Sequence, residues 1–145
     1  MKVAIIGQGY VGLTISAFAG EFFEVVGFDN NPKIVDQLNR GISHIEGVEG
    51  STLQNWIKAG RYRATNRGSD IADVDLVVIA VPTPLTNDRK PDLSFIEAAC
   101  KTIGENGYVL LDDGAFTASA DTLEEMKMSD ENPPMPEMPP MPPAP

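Results

Sequence analysis

The sequence predicts a doubly wound, Rossmann-like α/β domain: a five-stranded parallel sheet in the order 3-2-1-4-5, helices on both faces, and an irregular C-terminal tail. Three observations predict it. Short apolar runs alternate with helix-period segments through residue 128, which is the pattern of repeated strand–helix–strand units. The first apolar run leads directly into three glycines and then a small-residue helix. The strongest apolar run, Leu76 to Val81, meets Pro82-Thr83-Pro84, which places an irregular loop at a strand's carboxyl end. The expected organisation is a folded domain over 1–128 and a tail over 129–145.

Val3 to Ile6 is wholly apolar, as a strand covered on both faces must be. Val11 to Gly20 reads as a helix of small and apolar residues, and Val25 to Phe28 as the second strand. Pro32 suits the first turn of a helix running through Leu38, which Gly41 ends. Residues 42–50 carry turn residues without a clear period. Leu53 to Ala59 is a short helix with Leu53, Trp56 and Ile57 on one face. Tyr62 to Thr65 is a weak third strand, Asp70 to Asp73 a helical turn, and Leu76 to Val81 the fourth strand. Asp92 is expected to cap a helix from Leu93 to about Gly104, with Phe95, Ile96, Ala99 and Ile103 facing the core. Tyr108 to Leu111 is the fifth strand, and Asp121 with Glu124 resembles a capping box for a last helix to about Met128.

The glycines carry the chemistry. Gly7-Gln8-Gly9-Tyr10-Val11-Gly12, set between a strand and a helix and followed 17 residues later by Asp29, is a dinucleotide-binding fingerprint in its structural context. Gly7 permits the tight turn, Gly9 removes a Cβ where a pyrophosphate approaches, and Gly12 lets the helix pack on the sheet. Free amides at the helix start bind the phosphates without a lysine. Asp29, ending the second strand, accepts from the adenosine ribose hydroxyls and so favours NAD over NADP.

Composition narrows the remaining classes. A net charge of −10 over 145 residues argues against a general nucleic-acid or anionic-membrane surface. Arg61, Arg63 and Arg67 cluster, but read as a solvated face. No apolar stretch approaches the ~20 residues of a membrane span, and only four apolar residues precede Gly7, too few for a signal peptide core. The single cysteine, Cys100, excludes an internal disulfide and suits a reducing, cytoplasmic compartment; the lone His44 offers no metal constellation. Of the last 17 residues eight are proline and three methionine, so residues 129–145 read as a solvated polyproline-like tail, or as a peptide that docks an aromatic-lined groove on a second protein chain.

The motifs together resemble the nucleotide-sugar 6-dehydrogenases, the UDP-glucose/GDP-mannose dehydrogenase family. The likeness rests on Gly7 to Leu13, on Val26-Gly27-Phe28-Asp29 with Lys33 and Leu38-Asn39-Arg40-Gly41, and on Gly60 to Thr65. It continues through Ile79 to Thr86 and Pro91 to Phe95, covering about residues 1–111. Pro82-Thr83-Pro84-Leu85-Thr86 with Pro91-Asp92-Leu93-Ser94 looks most like the branch acting on UDP-N-acetyl sugars, such as UDP-N-acetylmannosamine. Members oxidise a sugar CH2OH to a carboxylate in two NAD-dependent steps, through a thiohemiacetal on a catalytic cysteine.

The resemblance implies cofactor roles for Gly7, Gly9, Tyr10, Val11 and Gly12 at the pyrophosphate, for Asp29 and Lys33 at the ribose, and for Val81, Pro82 and Thr83 after the fourth strand. Lys33 reads equally as a solvated helix residue, and Thr83 also as a turn residue between prolines. The family's Glu-Ser-Thr and Pro-Gly-Thr segments are replaced here by Asp112 to Thr122. Aligned from the preceding strand, the family threonine falls on Ala115; aligned from Thr122 to Glu125, it falls on Thr117. The resemblance ends before the region that supplies the family's catalytic residues and sugar domain, and Cys100, in a helix, reads as a small buried residue. Three expectations follow: the cofactor half of a dehydrogenase, inactive alone; a non-catalytic NAD-binding module that contacts a partner through its tail or through the surface a missing domain leaves; or a degenerate remnant that binds nothing, which fits the replaced Glu-Ser-Thr segment.

Overall fold

A computed structural model describes residues 1–110 and 116–118. Four parallel strands, β1 (Lys2–Ile6), β2 (Glu24–Phe28), β3 (Tyr62–Thr65) and β4 (Leu76–Ile79), form a sheet in the order β3-β2-β1-β4. Around them lie α1 (Tyr10–Ala19), α2 (Pro32–Asn39), α3 (Gly50–Lys58), a 3-10 turn at Gly68–Ile71 and α4 (Ser94–Glu105). The register is continuous across β1: Ala4 pairs with Val26 on one side and Val77 on the other.

Successive side chains of a strand point to opposite faces, so an all-apolar β1 feeds two cores. Val3 and Ile5 pack with Leu13 and Ala17 of α1, Leu38 of α2 and Leu53 of α3. Ala4 and Ile6 pack on the opposite face with Phe28, Ile71, Val77, and Ala99 and Ile103 of α4. Trp56 and Ile57 lie partly buried against the first core, its indole N–H donating to the Ala17 carbonyl (2.9 Å). Asn39 ties α2 to β3 by giving and taking one hydrogen bond each with the Ala64 backbone (2.9 and 2.8 Å). The outward side of α1 is apolar as well: Val11 is 61% and Phe18 71% exposed, and Phe22 just beyond the helix is 70% exposed.

Several expectations change. The segment Tyr108–Leu110 is a strand, β5, but it pairs antiparallel with β6 (Phe116–Ala118) and does not join the parallel sheet. A partner close in sequence closes a short loop at little entropic cost, so a three-residue strand is satisfied by its neighbour although α4 supplies the crossover that parallel addition needs. β6 lies beside β4. β4 is therefore an edge strand of the parallel sheet, and Leu76 is 44% exposed although its run is the most apolar in the chain. That strand also ends at Ile79 rather than Val81, after which Ala80 N–H still donates to the Ile6 carbonyl (2.8 Å).

On α4, Ala99 and Ile103 are buried as expected, but Phe95 is 42% exposed. Asp92 accepts from the Ser94 N–H (3.0 Å) from one position before the cap, which Leu93 occupies. Cys100 is half-buried, not a core residue. The arginines are not simply solvated: Arg61 donates to the Glu21 carbonyl (2.5 Å), and Arg63 and Arg67 both pair with Asp70 (3.3 and 3.1 Å). The expected last helix at 121–128, the tail at 129–145 and the alternative threonine position at 115 lie outside the described residues.

Candidate functional site

The carboxyl ends of β1, β2 and β4 open onto a cleft of about 410 Å³. Its floor is Gly7, Gln8 and Gly9; one side is Phe28, Asp29, Asn30, Asn31 and Ile34; the other is Ala80, Val81 and Pro82 with Phe95, Ala98, Ala99 and Thr102 of α4. His44 closes the rim from the loop after α2. Ligand clefts in open parallel sheets lie at this edge, where successive crossovers go to opposite faces.

Each glycine has a separate reason. Gly7 sits at φ +90°, and a Cβ there would stand 2.8 Å from the Ala80 carbonyl oxygen. A Cβ on Gly12 would overlap the Gly7 carbonyl oxygen, so the helix reaches the turn only because that position is bare. A Cβ on Gly9 would meet nothing within 4 Å: the space in front of Gly9 holds no atom of the described residues. Gly9 caps α1 without a side-chain bond and no acid stands in the first turn. The amides of Gly9, Tyr10, Val11 and Gly12 have no acceptor among the described residues. Such a helix start offers an anion several donors and the positive end of the helix dipole.

Asp29 is held on both oxygens. Oδ2 accepts from the Gln8 N–H (3.0 Å) and Oδ1 from the Asn31 N–H (2.9 Å). Asn31 in turn caps α2 by accepting from the Lys33 N–H (3.0 Å). The carboxylate is thereby fixed at the end of β2, facing the same cleft as Gly9.

Beneath the glycine turn lies a polar cluster that the motif does not announce. Gln8 is fully buried; its Nε2 donates to the Ile5 carbonyl (2.9 Å), while its Oε1 accepts from Ser16 (3.1 Å) and Tyr62 (3.0 Å). Gly27 makes room, since a Cβ there would lie 2.5 Å from Gln8 Oε1. Burial, and next the charge of Asp29, push the Tyr62 phenol well above its usual range, so it stays a donor.

Of the expected cofactor residues, the structure brings Gly7, Gly9, Asp29, Val81 and Pro82 together in the cleft. Tyr10 and Val11 are exposed at the start of α1 beside it, and Gly12 is buried behind the turn. Lys33 is exposed on α2 and Thr83 on the loop after β4; neither lines the cleft. Thr117 lies in β6, opposite Val109. Cys100 does not line the cleft either, although Ala98, Ala99 and Thr102 on the same helix do. Sequence reasoning missed Gln8, Asn31, Ile34, His44, Phe95 and Thr102. Asn31 carried a signal, a capping residue directly before Pro32.

A parallel sheet with a glycine-rich turn, an open helix start and a fixed acid after the second strand defines a dinucleotide-binding domain of the doubly wound class. Residues 1–109 match the family model of the NAD binding domain of the UDP-glucose/GDP-mannose dehydrogenase family, and the chain belongs to that family. UDP-N-acetyl-D-mannosamine dehydrogenase of Pyrococcus horikoshii is 34% identical over 125 residues, which are 85% of this chain and 29% of that protein. The enzyme of the same name from Salmonella typhi is 41% identical over 103 residues, 70% of this chain and 24% of that one. The crystal structure of a ternary complex of GDP-mannose dehydrogenase from Pseudomonas aeruginosa superposes with a TM-score of 0.69 at 33% identity, covering 72% of this chain and 24% of that one. The chain thus spans 24–29% of the length of these relatives. The family and the cofactor that the motifs implied are those of this chain: it is an NAD-binding domain. Among the described residues no helix is long and apolar enough to cross a membrane.

Proposed function

We propose that this chain binds NAD along the cleft and serves as the cofactor-binding part of a nucleotide-sugar 6-dehydrogenase acting on a UDP-sugar, in the UDP-N-acetyl-sugar branch. The observation that carries the reading is the convergence, in one cleft, of the open α1 amides at Gly9 to Gly12 and the immobilised Asp29 carboxylate. The amides of Gly9, Tyr10, Val11 and Gly12 take the pyrophosphate, and Gly7 sets the turn that aims them. Asp29 accepts from the ribose hydroxyls, and Lys33 stands on the adjoining helix turn. The adenine lies between Ile34 on one side of the cleft and Val81, Pro82, Phe95 and Ala98 on the other. Thr83 and Thr117 are assigned to the far half of the dinucleotide. NAD, when bound, accepts a hydride from the sugar carbon. This chain's residues contribute by holding the dinucleotide in one orientation and by keeping its phosphates at the helix end.

The second reading, a non-catalytic NAD-binding module with a protein partner, is favoured by the position of Cys100, the only thiol of the chain, outside the cleft lining. In the first reading the residues that act on the sugar come from outside residues 1–128; in both readings the setting is the cytoplasm.

Calorimetric titration of the full chain with NAD and NADP tests the shared core. A 2′-phosphate beside Asp29 brings like charges together and forfeits a charge-assisted bond of about 1.5–3 kcal/mol. NAD should therefore bind on the order of 10- to 100-fold more tightly. Equal affinities would remove Asp29 from its assigned role, and absence of heat with either dinucleotide would overturn the reading.

A further inference from the structure

The cleft lining contains two titratable side chains, Asp29 and His44. His44 is the only histidine of the chain and belongs to none of the motifs. It is carried by a loop that the fold holds in place: Gly41 turns at φ +72°, and Ile42 N–H donates to the Gln37 carbonyl (3.0 Å). Ser43 Oγ bonds the Ile45 backbone (3.0 Å), and Ile45 packs against the core beneath α1. The imidazole is exposed at the rim and makes no hydrogen bond to a described residue. It lines the same cleft as Asp29, Asn31 and Ile34, which face the adenosine in the placement proposed above.

We infer that His44 is a charge-switching contact at the adenosine end, so that rejection of 2′-phosphorylated dinucleotides is strongest when its imidazole is neutral and weakens when it is protonated. The inference rests on the proposed placement of the dinucleotide. Imidazole is the side chain whose charge most readily changes within the pH range in which proteins are handled. The charged groups on the elements bordering it are Asp29 after β2, Lys33 and Asp36 on α2, Arg40 at the end of α2, where it pairs with Asp36 (2.6 Å), and Glu46 and Glu49 on its own loop. Of these, Asp29 alone lines the cleft with His44, so the imidazole is the one group there that can offer an anion a positive charge. Neutral His44 leaves a 2′-phosphate to face Asp29; protonated His44 supplies the phosphate with a cation. A cation–phosphate attraction in an open, solvated cleft amounts to a few-fold in affinity.

The test compares the wild-type chain with His44→Gln, titrating NAD and NADP calorimetrically at about pH 8 and about pH 5.5. The 2′-phosphate itself takes up a proton near pH ~6, which relieves its repulsion from Asp29 in both proteins, so His44→Gln reports that background. The NAD-over-NADP preference of the wild type should fall about 3- to 10-fold further than that of His44→Gln. Equal narrowing in the two proteins overturns the inference while leaving NAD binding intact. Loss of all binding in the wild type overturns the cofactor placement and this inference with it. Because the chain has one histidine, its imidazole carbon-bound proton gives a single assignable signal in NMR. NADP should raise the midpoint of that signal's titration in the wild type more than NAD does, a readout independent of any variant. Equal midpoints with both dinucleotides overturn the inference.

Discussion

Replacing Gln8 with alanine should cost this domain about 3–5 kcal/mol, a large share of the ~5–15 kcal/mol that holds a domain folded. The structure supplies the terms. The change strips the common acceptor from Ser16 and Tyr62, both buried, and leaves the Ile5 carbonyl without its side-chain donor. Each buried polar group deprived of its partner costs about 1–3 kcal/mol, and hydroxyl rotation recovers part of that. The vacated side chain also leaves a hole between α1 and the sheet, beside Ser16, Gly27 and Tyr62. The assay is urea unfolding followed by far-ultraviolet circular dichroism, run as a double-mutant cycle with Tyr62→Phe. In the wild type Tyr62→Phe removes one of two bonds to Gln8 Oε1 and should cost about 0.5–1.5 kcal/mol. In the Gln8→Ala background that phenol has already lost its acceptor, so the same change should cost nothing or stabilise. A coupling of about 1 kcal/mol is expected. Additive costs, or a Gln8→Ala penalty under ~1 kcal/mol, would refute the view that this cluster is a single buried network.

Three further outcomes follow from the same geometry. Gly9→Val should abolish NAD binding by calorimetry with little change in melting temperature, because its side chain enters space that no atom of the described residues fills; a variant that keeps both would move the phosphates elsewhere. Burial raises the Tyr62 pKa in the folded state above its unfolded value, so stability is intact below about pH 10 and falls as pH rises beyond it; Tyr62→Phe should remove that alkaline loss in unfolding midpoints measured across the range. Asp70 is held below the usual carboxylate range, first by the Thr65 hydroxyl (2.5 Å) and then by Arg67 and Arg63. Its folded pKa is depressed, so its contribution is present above about pH 4 and lost as pH falls through the folded value; Asp70→Asn should be less stable than the wild type near neutrality and converge with it in acid.

The parts legible in the sequence are those whose cause is local. Gly7, Gly9 and Gly12 declare a turn, a bare approach and a close packing within one helical turn, and Asp29 follows at a distance set by one helix and one strand. The apolar periods of β1, β2 and β3 need no distant partner to be read. Gln8 was illegible because its burial depends on Tyr62, 54 positions away, and on the absence of a side chain at Gly27. Phe95 sits on the same stripe as Ala99 and Thr102, but it stands one turn nearer the carboxyl edge, where the stripe has left the sheet and borders the cleft. Periodicity names a face without saying where along the helix the core ends. The pairing of β5 was missed for a related reason: apolar residues announce a strand, while its partner depends on what chain lies within reach.

The outward apolar side of α1 bears on how this protein behaves as a solute. Val11 and Phe18, with Phe22 beyond them, expose nonpolar surface on a molecule that carries a net charge of −10. Mutual repulsion between such anions keeps these surfaces apart in dilute buffer near neutrality. Raising the ionic strength to ~1 M shortens the reach of that repulsion to about 3 Å and, with sulfate, strengthens the attraction between the exposed rings. Colloidal stability of the domain should therefore be greatest in low salt above the carboxylate titration range, and ammonium sulfate should bring it out of solution, as native molecules with their cleft intact.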